Sequence, residues 1–205
     1  MSWYEERILP SLINLACSTK PTRKQREKIV PQATGDVLEV GFGSGLNLPY
    51  YDRNKVRRIW GLEPSVGMRR IARGAVGEAG LEVEFIDLPC EEIPLDDDSV
   101  DTVLITYTLC TIPDPAKALD GVRRVLKRQG RLLFCEHGKA PDENVHRWQE
   151  RLNPLWTKVS GGCNMHRDIP DILHRSGFVV EDDNRMYIPG AKALSYNYWG
   201  SARIR

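Results

Sequence analysis

The sequence predicts a single domain built on a parallel α/β sheet. From Asp36 onward, short apolar segments alternate with segments whose apolar residues recur at helical spacing, which is typical of such a sheet. The length of 205 residues suits one domain with a sizeable core. Apolar residues make up 41% and charged residues 28% of the chain, which is the composition of a globular protein and not of a disordered one. We therefore take residues 1–205 as one domain.

Residues 1–30 precede the alternating part and are expected to form a helical cover. The apolar residues of 3–17 fall on one helical stripe, with a kink or a restart expected at Pro10. The basic run at 20–28 has two interpretations. It is either the solvated face of a short helix or a surface that touches anionic headgroups or an acidic partner, so peripheral membrane contact through residues 1–28 is one of the open alternatives.

Seven strands are predicted in the remaining chain. They cover residues 37–40, 58–62, 81–86, 100–106, 131–135, 178–180 and 197–203. The fourth is almost wholly apolar, as a strand buried on both faces should be. Helices are expected after Ser65, which can cap the first turn, through Ala75, over 115–126 with Pro115 in the first turn, and near 170–176. The segment 138–168 interrupts this rhythm and is expected to be a lid insert.

Charge and cysteine usage exclude several classes of protein. The chain has 29 basic and 28 acidic side chains, a net charge of +1, which argues against a binder of nucleic acid that relies on a basic surface. No apolar run approaches the roughly 20 residues of a membrane-spanning helix, and the start is too acidic for a secretory signal. Five scattered cysteines without a CxxC pair indicate reduced thiols, so we expect a cytoplasmic protein.

No metal site is expected from the sequence. Cys163 and His166 lie close together in the chain, but two ligands without further clustering do not make a metal centre.

A glycine loop comes directly after the first predicted strand. It extends from Glu39 through Gly41, Phe42 and Gly43 to Gly45, and glycine is needed where the backbone turns tightly beside a ligand. A dinucleotide fingerprint would require a further glycine at Leu46, so a dinucleotide oxidoreductase is the weaker alternative. The carboxylate of Glu39 suits the ammonium group of an amino-acid ligand instead.

Two further features extend this site. Glu63 ends the second predicted strand, where a carboxylate can accept hydrogen bonds from both hydroxyls of a ribose. Cys90 and Glu91 come after the third strand, where an adenine edge would lie. Together with the glycine loop, these residues indicate a site for S-adenosylmethionine. The full set of candidate cofactor residues is Glu39, Gly41, Phe42, Gly43, Gly45, Asn47, Glu63, Pro64, Cys90, Glu91 and Thr106.

The sequence resembles the class I S-adenosylmethionine-dependent methyltransferases over roughly residues 35–180. The resemblance is carried by residues 39–45, 63–65, 91–95 and 125–130. It implies a Rossmann-like, mostly parallel seven-stranded sheet with an antiparallel last strand and helices on both faces. Many members carry an aspartate in the adenine loop at the position of Pro89, so the adenine contact is expected from the backbone at Cys90–Glu91 or from elsewhere.

A narrower resemblance concerns the second half of the chain. It is carried by Leu109-Cys110-Thr111, Glu136-His137, Trp148-Gln149, Asn153-Pro154-Leu155-Trp156 and Gly162-Cys163-Asn164, which resemble the methyltransferase-like 7 group, the alkyl thiol methyltransferases. Those proteins associate with membranes through an apolar N-terminal segment, and residues 3–17 are too short and too charged to copy it.

Strand ends supply the candidate catalytic residues. Tyr107 follows the fourth strand and Glu136-His137 the fifth, where ligands of such sheets bind. His137 is the candidate for stabilising the acceptor or taking its proton, Glu136 either orients His137 or caps a turn, and Tyr107 steers the acceptor or packs. The candidate acceptor-binding residues are Tyr4, Cys110, Trp148, Trp156, Cys163 and Asn164.

These observations predict transfer of a methyl group to a small apolar acceptor. A thiol is the preferred acceptor, because a few per cent of it is already thiolate at neutral pH and orientation then does most of the work. The alternatives are a quinone or phenol methyltransferase, a lipid-amine methyltransferase, and a cofactor-binding regulator without catalysis. The sequence does not identify the acceptor or the oligomeric state.

Overall fold

The computed structural model describes residues 7–205, so Tyr4 lies outside the described part of the chain. The strands are β1 (Gly35–Val40), β2 (Val56–Leu62), β3 (Glu82–Ile86), β4 (Val100–Thr106), β5 (Leu126–His137), β6 (Phe178–Tyr187) and β7 (Tyr196–Ile204). The helices are α1 (Leu9–Cys17), α2 (Lys20–Ile29), α3 (Val66–Ala79), α4 (Pro115–Val125), α5 (Glu143–Val159) and α6 (Ile169–Arg175).

The seven strands form one sheet in the order β3-β2-β1-β4-β5-β7-β6. β7 runs antiparallel to both of its neighbours, and the pairs among β1 to β5 are parallel. The predicted fold class is therefore confirmed. The chain extends the sheet outward from β1 to β3 and then returns to place β4 on the other side of β1. Such a reversal opens a crevice at the carboxyl ends of β1 and β4, where open α/β sheets bind ligands.

The core lies on both faces of this sheet. Consecutive residues of a strand point to opposite faces, and neighbours such as Val103 and Leu104 belong to two different clusters of buried side chains. Each residue of β4 except Asp101 is fully or almost fully buried, as its apolar sequence predicts. Helices must therefore cover both faces, which holds the central strands and their carboxyl ends in fixed positions.

Local signals set several element boundaries. Ser65 caps α3, because its Oγ accepts a hydrogen bond from the Met68 amide at 3.2 Å, and Gly80 ends that helix with a φ of +60°. Pro10 lies in the first turn of α1, so the predicted restart occurs at the helix start. Asp114 caps α4 in front of Pro115.

Several elements differ from the sequence prediction: α3 continues to Ala79 instead of ending at Ala75, and β5 begins at Leu126 instead of Arg131. β6 continues to Tyr187 instead of ending at Val180, although residues 181–185 are polar and exposed. β6 is an edge strand, and polar and charged side chains are common on edge strands. A register shift near Val180 also breaks the alternation of apolar and polar residues by which strands are predicted. The insert is largely α5, which continues through Pro154.

None of the helices formed by residues 7–205 combines the length and the hydropathy that crossing a bilayer requires.

Candidate active site

A cleft of about 590 Å³ opens at the carboxyl ends of β1, β2 and β4. Nine of the predicted cofactor residues line it: Gly41, Phe42, Gly43, Asn47, Glu63, Pro64, Cys90, Glu91 and Thr106. Tyr107 also lines the cleft. Residues far apart in the sequence thus meet in one cavity, and its size lies within the usual range for small-molecule sites.

The glycine loop passes very close to the segment after β4. A Cβ atom on Gly41 would lie 2.2 Å from Thr108 Oγ1, so only glycine leaves room for the Thr108 side chain here. Gly43 has a φ of +58°, and a Cβ there would meet no atom closer than 3.8 Å. The loop therefore leaves open space above Gly43 in which a ligand can lie against the backbone. Gly45 does not line the cleft and serves the turn itself.

Glu63 is buried at the end of β2 with its carboxylate against the glycine loop. The Gly43 amide donates to Oε2 and the Ser65 amide to Oε1, each at 2.9 Å. Each carboxylate oxygen can accept a second hydrogen bond, so each can still bind one hydroxyl of a ribose. Burial raises the pKa of Glu63, while the two amides and Arg69 oppose that shift.

Glu39 lies behind the cleft wall instead of in it. Its side chain is 1% exposed and accepts hydrogen bonds from Asn47 Nδ2 at 2.8 Å and from the Tyr51 hydroxyl at 2.6 Å. Burial raises its pKa to about 7. Glu39 therefore contacts the cleft through Asn47, and its direct contact with an ammonium group stays a prediction.

Arg26 is a cleft residue that the sequence analysis did not single out. It comes from α2 and is 4% exposed, and its Nη1 donates to Asn47 Oδ1 at 2.8 Å and to Thr106 Oγ1 at 2.7 Å. Its Nε is buried and has no hydrogen-bonding partner among the described residues. A buried guanidinium whose contacts are to neutral oxygens is suited to an anionic ligand group. In the sequence it is one of many basic residues in the run at 20–28, and no local signal separates it from the others.

Helix α1 closes one side of the cleft. Leu9, Pro10, Ile13, Asn14 and Cys17 line it, and Asn14 Oδ1 lies 2.6 Å from Ser44 Oγ of the glycine loop. Further lining residues are Thr111, Ile112 and Pro113 after β4, and Thr157, Lys158, Gly161 and Gly162 from the end of the insert. The part of the cleft beyond the glycine loop is therefore mainly apolar.

The candidate catalytic residues divide into two groups. Tyr107 lines the cleft with a φ of +54°, an unusual conformation for a non-glycine residue, and its hydroxyl donates to Asn197 Oδ1 at 2.7 Å. Glu136 is fully buried outside the cleft and accepts hydrogen bonds from the amides of Thr108 and Leu109. It caps the turn after β4, which is one of its two predicted roles. Its effect on catalysis stays a prediction.

His137 contacts the predicted acceptor residues rather than the cleft. Its Nε2 lies 2.9 Å from Cys163 Sγ, and Cys163 Sγ lies 3.7 Å from Cys110 Sγ. Asn164 joins the same group, because its amide donates to the Cys110 carbonyl at 2.7 Å. Burial lowers the pKa of His137, but the neighbouring Cys163 and Glu136 outweigh it and the net shift is upward.

The two predicted tryptophans lie apart from this group. Trp148 is 57% exposed and Arg151 stacks over its ring, so it does not cover the cleft in this structure. Trp156 is half-buried and does not line the cleft either. The residues of the insert that do reach the cleft are Thr157, Lys158, Gly161 and Gly162.

Comparison with known proteins identifies the family. Residues 38–134 match the model of a methyltransferase domain. The human thiol S-methyltransferase TMT1B is 32% identical over 83% of this chain and 73% of its own length. A demethylmenaquinone methyltransferase of Clavibacter sepedonicus is 40% identical over 58% of this chain and 48% of its own. The chain spans between 38% and 73% of the length of the first four relatives that it matches.

A solved structure supports the same conclusion for the fold. The methyltransferase partner of the Trm112 activator from Haloferax volcanii superposes with a TM-score of 0.71 and 20% identity, covering 97% of this chain and 98% of that one. The observed cleft, with Gly43 open to a ligand and Glu63 at the end of β2, fits S-adenosylmethionine. The chain belongs to the class I S-adenosylmethionine-dependent methyltransferases, and its relatives include the thiol S-methyltransferases.

Proposed function

We propose that this methyltransferase transfers the methyl group to the sulfur of a small apolar thiol. The observation that carries the proposal is the distribution of charged groups around the cleft. Of the described residues that line it, the acidic ones are Glu63 and Glu91, both at the ribose and adenine end, and none is a histidine. Among the described residues, the acceptor end therefore offers no carboxylate or imidazole as a general base, which favours an acceptor that ionises by itself.

The ordinary pKa values of the candidate acceptors separate them under this condition. A thiol has a pKa of about 8.5 and is partly ionised at neutral pH, whereas an alkyl ammonium group and a phenol lose their protons near pH 10. An amine or a phenol would thus need a base to free its lone pair. The relative TMT1B, a thiol S-methyltransferase, supports the thiol, and the demethylmenaquinone methyltransferase is the reason to test other acceptors.

Arg26 is assigned to the amino-acid end of the cofactor. S-adenosylmethionine supplies, when bound, a methyl group on a positively charged sulfur. Arg26 lines the cleft beside the glycine loop and donates to Asn47 and Thr106 there, so its guanidinium is placed to bind the carboxylate of the methionine part. Asn47 in turn links this position to Glu39. Glu63 and the backbone near Cys90 and Glu91 would hold the ribose and the adenine.

The apolar wall provides binding energy and excludes water from the acceptor. Leu9 and Ile13 of α1 line the cleft together with Ile112 and Pro113, which follow β4. Burying an apolar acceptor between such side chains contributes roughly 25 cal/mol per Å² of apolar surface. The main task of these residues is to hold the acceptor sulfur in line with the methyl group, because orientation is the largest contribution that a protein can make to this reaction.

The outer surface of α1, α2 and α5 is suited to peripheral contact with an anionic membrane surface. Trp148, Leu152, Leu155 and Val159 are exposed and lie on one stripe of α5. Gly161, at the end of α5, packs against Leu9 and Ile13 of α1, and the exposed Leu12 and Leu15 add apolar surface on that helix. The basic helix α2 comes directly after α1, so the region combines the apolar and cationic groups that bind anionic headgroups.

Parallel assays of four acceptor classes test which group receives the methyl. Purified protein is given S-adenosylmethionine with an alkyl thiol, a phenol, a demethylated quinone and a lipid amine in parallel, and each is examined by mass spectrometry for the gain of one methyl group. We expect methylation of the thiol at a rate at least tenfold above the others. Methylation of the quinone or the amine in preference to the thiol would reject the proposal, and binding of S-adenosylhomocysteine without any turnover would indicate a regulator.

A further inference from the structure

Three side chains with metal-binding atoms meet beside the cleft. Cys110 follows β4, His137 ends β5 and Cys163 follows α5, and their two sulfurs and one ring nitrogen all lie within 4.8 Å of one another. Consecutive members of this set lie 27 and 26 positions apart in the sequence, so they form no short motif that indicates a metal site. We propose that Cys110, His137 and Cys163 form a zinc site that binds the acceptor thiol as the fourth ligand. This proposal rests on the thiol acceptor proposed above.

The distances fit tetrahedral zinc. Bonds of about 2.3 Å to two sulfurs at the tetrahedral angle put these sulfurs about 3.8 Å apart. The observed separation of Cys110 Sγ and Cys163 Sγ is 3.7 Å. His137 Nε2 lies 2.9 Å from Cys163 Sγ, and it must withdraw to about 3.6 Å when both atoms bind the metal. A side-chain adjustment of about 1 Å or less is sufficient.

The two loops that carry the cysteines are held by a dense network. Glu136 accepts hydrogen bonds from the amides of Thr108, Leu109 and Cys110, which fixes the loop after β4. Asn164 donates from its backbone and its side chain to the Cys110 carbonyl. Arg167 donates to the carbonyls of Leu109 and Ile112, at 2.8 Å for the latter. A site whose ligand-bearing loops are fixed before the metal arrives is what selective metal binding requires.

The ligand set leaves one position open. Two thiolates and one imidazole occupy three tetrahedral positions, and catalytic zinc sites keep the fourth for a substrate. The charge of the two thiolates balances that of Zn²⁺, so a third thiolate on the metal carries excess negative charge and is a good nucleophile. Nε2 is the ring atom that faces the site, because it lies 2.9 Å from Cys163 Sγ.

The zinc site adjoins the methyl-donor cleft. Thr111 and Gly162, each the chain neighbour of a cysteine ligand, line the cleft and pack against each other. Gly161 and Gly162 have φ values of +67° and +91°. Only glycine adopts such conformations readily, so these two residues set the backbone path that brings Cys163 to the edge of the cleft.

The reaction balances without a redox partner. The thiol RSH binds zinc as RS⁻ and releases its proton to solvent, because a coordinated thiol is deprotonated. A sulfur lone pair of RS⁻ then forms the new bond to the methyl carbon. The bond between that carbon and the sulfonium sulfur breaks, and its electron pair remains on the cofactor, which becomes S-adenosylhomocysteine. The product RSCH₃ is an uncharged thioether and a weaker ligand, so it leaves the metal.

Zinc content is the first test. The full chain, purified without chelators, is analysed by mass spectrometry for metals, and we expect one zinc ion per chain. Cys110→Ser and Cys163→Ser should each weaken zinc retention against a competing chelator by at least about tenfold. Cys135→Ser is the matched control, because Cys135 is a fully buried thiol of β5 outside the cluster, and it should retain zinc.

Cobalt reports whether the acceptor reaches the metal. The chelated protein is titrated with Co²⁺ in the absence of S-adenosylmethionine, which should give the charge-transfer absorption of cobalt bound to sulfur. Adding an alkyl thiol should change that spectrum, and the corresponding alcohol should not. This readout needs no methyl transfer, so it separates a failure of the zinc site from a failure of the thiol acceptor.

Several results would overturn the proposal. Native protein that binds neither zinc nor cobalt excludes the site, and a spectrum that does not respond to thiol excludes the substrate role. A disulfide between Cys110 and Cys163, seen as the loss of two hydrogens in the protein as purified, would identify an oxidised thiol pair instead. If a serine variant does not fold, His137→Gln and chelation of the native protein test the same point.

Discussion

Arg26 illustrates how a single buried charge can define a binding site. Its guanidinium is 4% exposed and its Nη1 binds only the neutral oxygens of Asn47 and Thr106. Burying a cation is costly unless a counter-charge or several hydrogen bonds compensate it. The bound cofactor would supply the counter-charge through its carboxylate, and Arg26 would then bind the part of the ligand that lies farthest from the adenine.

Replacing Arg26 should therefore weaken the binding of only those ligands that carry the amino-acid end of the cofactor. Because hydrogen bonds to charged groups contribute about 1.5–3 kcal/mol, Arg26→Gln should raise the Kd of S-adenosylhomocysteine by about 10-fold or more. The Kd of 5′-methylthioadenosine, which lacks that end, should stay the same. Calorimetry measures both, with Arg23→Gln as the control because Arg23 lies on the same helix but is exposed. Equal losses for the two ligands would contradict the assignment.

Glu39 makes a second prediction at the scale of one residue. Its pKa is raised by burial from 4.5 in the unfolded chain to about 7 in the folded one. Between these values the folded chain holds a proton that the unfolded chain has released, so the stability from this group is complete below pH 4.5 and is lost as the pH rises through about 7. The loss amounts to up to about 3 kcal/mol.

Glu39→Gln should remove this contribution to the pH dependence. Urea unfolding at several pH values from about 4.5 to about 7.5 measures the free energy of unfolding of both proteins, and the wild type should lose stability relative to the variant as the pH rises. Glu84→Gln is the control, because Glu84 is an exposed residue of β3 and should follow the wild type. Parallel curves for wild type and Glu39→Gln would show that the Glu39 pKa is not raised.

At the scale of elements, α5 carries more exposed apolar surface than a solvated helix needs. Trp148, Leu155 and Val159 are each more than half exposed and lie on the same stripe. The buried side of α5 is anchored by Gln149, whose Nε2 donates to the carbonyls of Gly138, Met165 and Ala193. The helix therefore has a fixed orientation, with its apolar stripe held outward beside α1.

Removing this stripe should reduce binding to anionic vesicles. Burial of an apolar side chain contributes about 1.5–3 kcal/mol, so the double variant Trp148→Ser and Leu155→Ser should bind vesicles of mixed neutral and anionic lipid at least about tenfold more weakly. Cosedimentation measures the binding, and circular dichroism checks that the fold is retained. Asn144→Ser, on the same helix, should bind as the wild type does. Unchanged binding of the double variant would place the membrane contact elsewhere.

The sequence predicted elements well where one residue type determines where a helix or a strand forms. Ser65 and Pro115 set the predicted helix starts through a local hydrogen bond and backbone geometry, whereas α3 ends at Gly80 and not at the predicted Ala75. The central strands were equally clear, because burial on both faces demands continuous apolar runs. Prediction failed at β6, whose exposed polar half pairs with β7 by backbone hydrogen bonds that no side-chain pattern records.

At the scale of the whole molecule, the cleft joins parts of the chain that are distant in sequence. Helix α1, the glycine loop, the segment after β4 and the end of α5 all contribute lining residues. A ligand that contacts all of them binds the folded state and not the unfolded one. Its binding free energy therefore adds to the stability of the entire domain.

Cofactor binding should accordingly raise the Tm. At a ligand concentration about 100 times the Kd the gain is about 2.7 kcal/mol, which corresponds to roughly 5–10 °C for a domain of this size. Glu63→Gln, which weakens the ribose contact, should show a smaller rise at the same S-adenosylhomocysteine concentration. Scanning calorimetry provides the measurement. An equal rise for both proteins would mean that the Glu63 carboxylate does not bind the cofactor.

The sequence by itself determined the fold class, the family and most of the residues that meet in the cleft. The reason is that the glycine loop, Glu63 and the Cys90–Glu91 segment each lie just beyond a strand, and parallel strands bring their carboxyl ends to one edge. Only the tertiary structure placed Arg26 in the cleft, moved Glu39 behind it and gathered Cys110, His137 and Cys163 into one cluster. These residues depend on how remote helices and loops pack against the sheet, and that packing leaves no periodic signal in the chain.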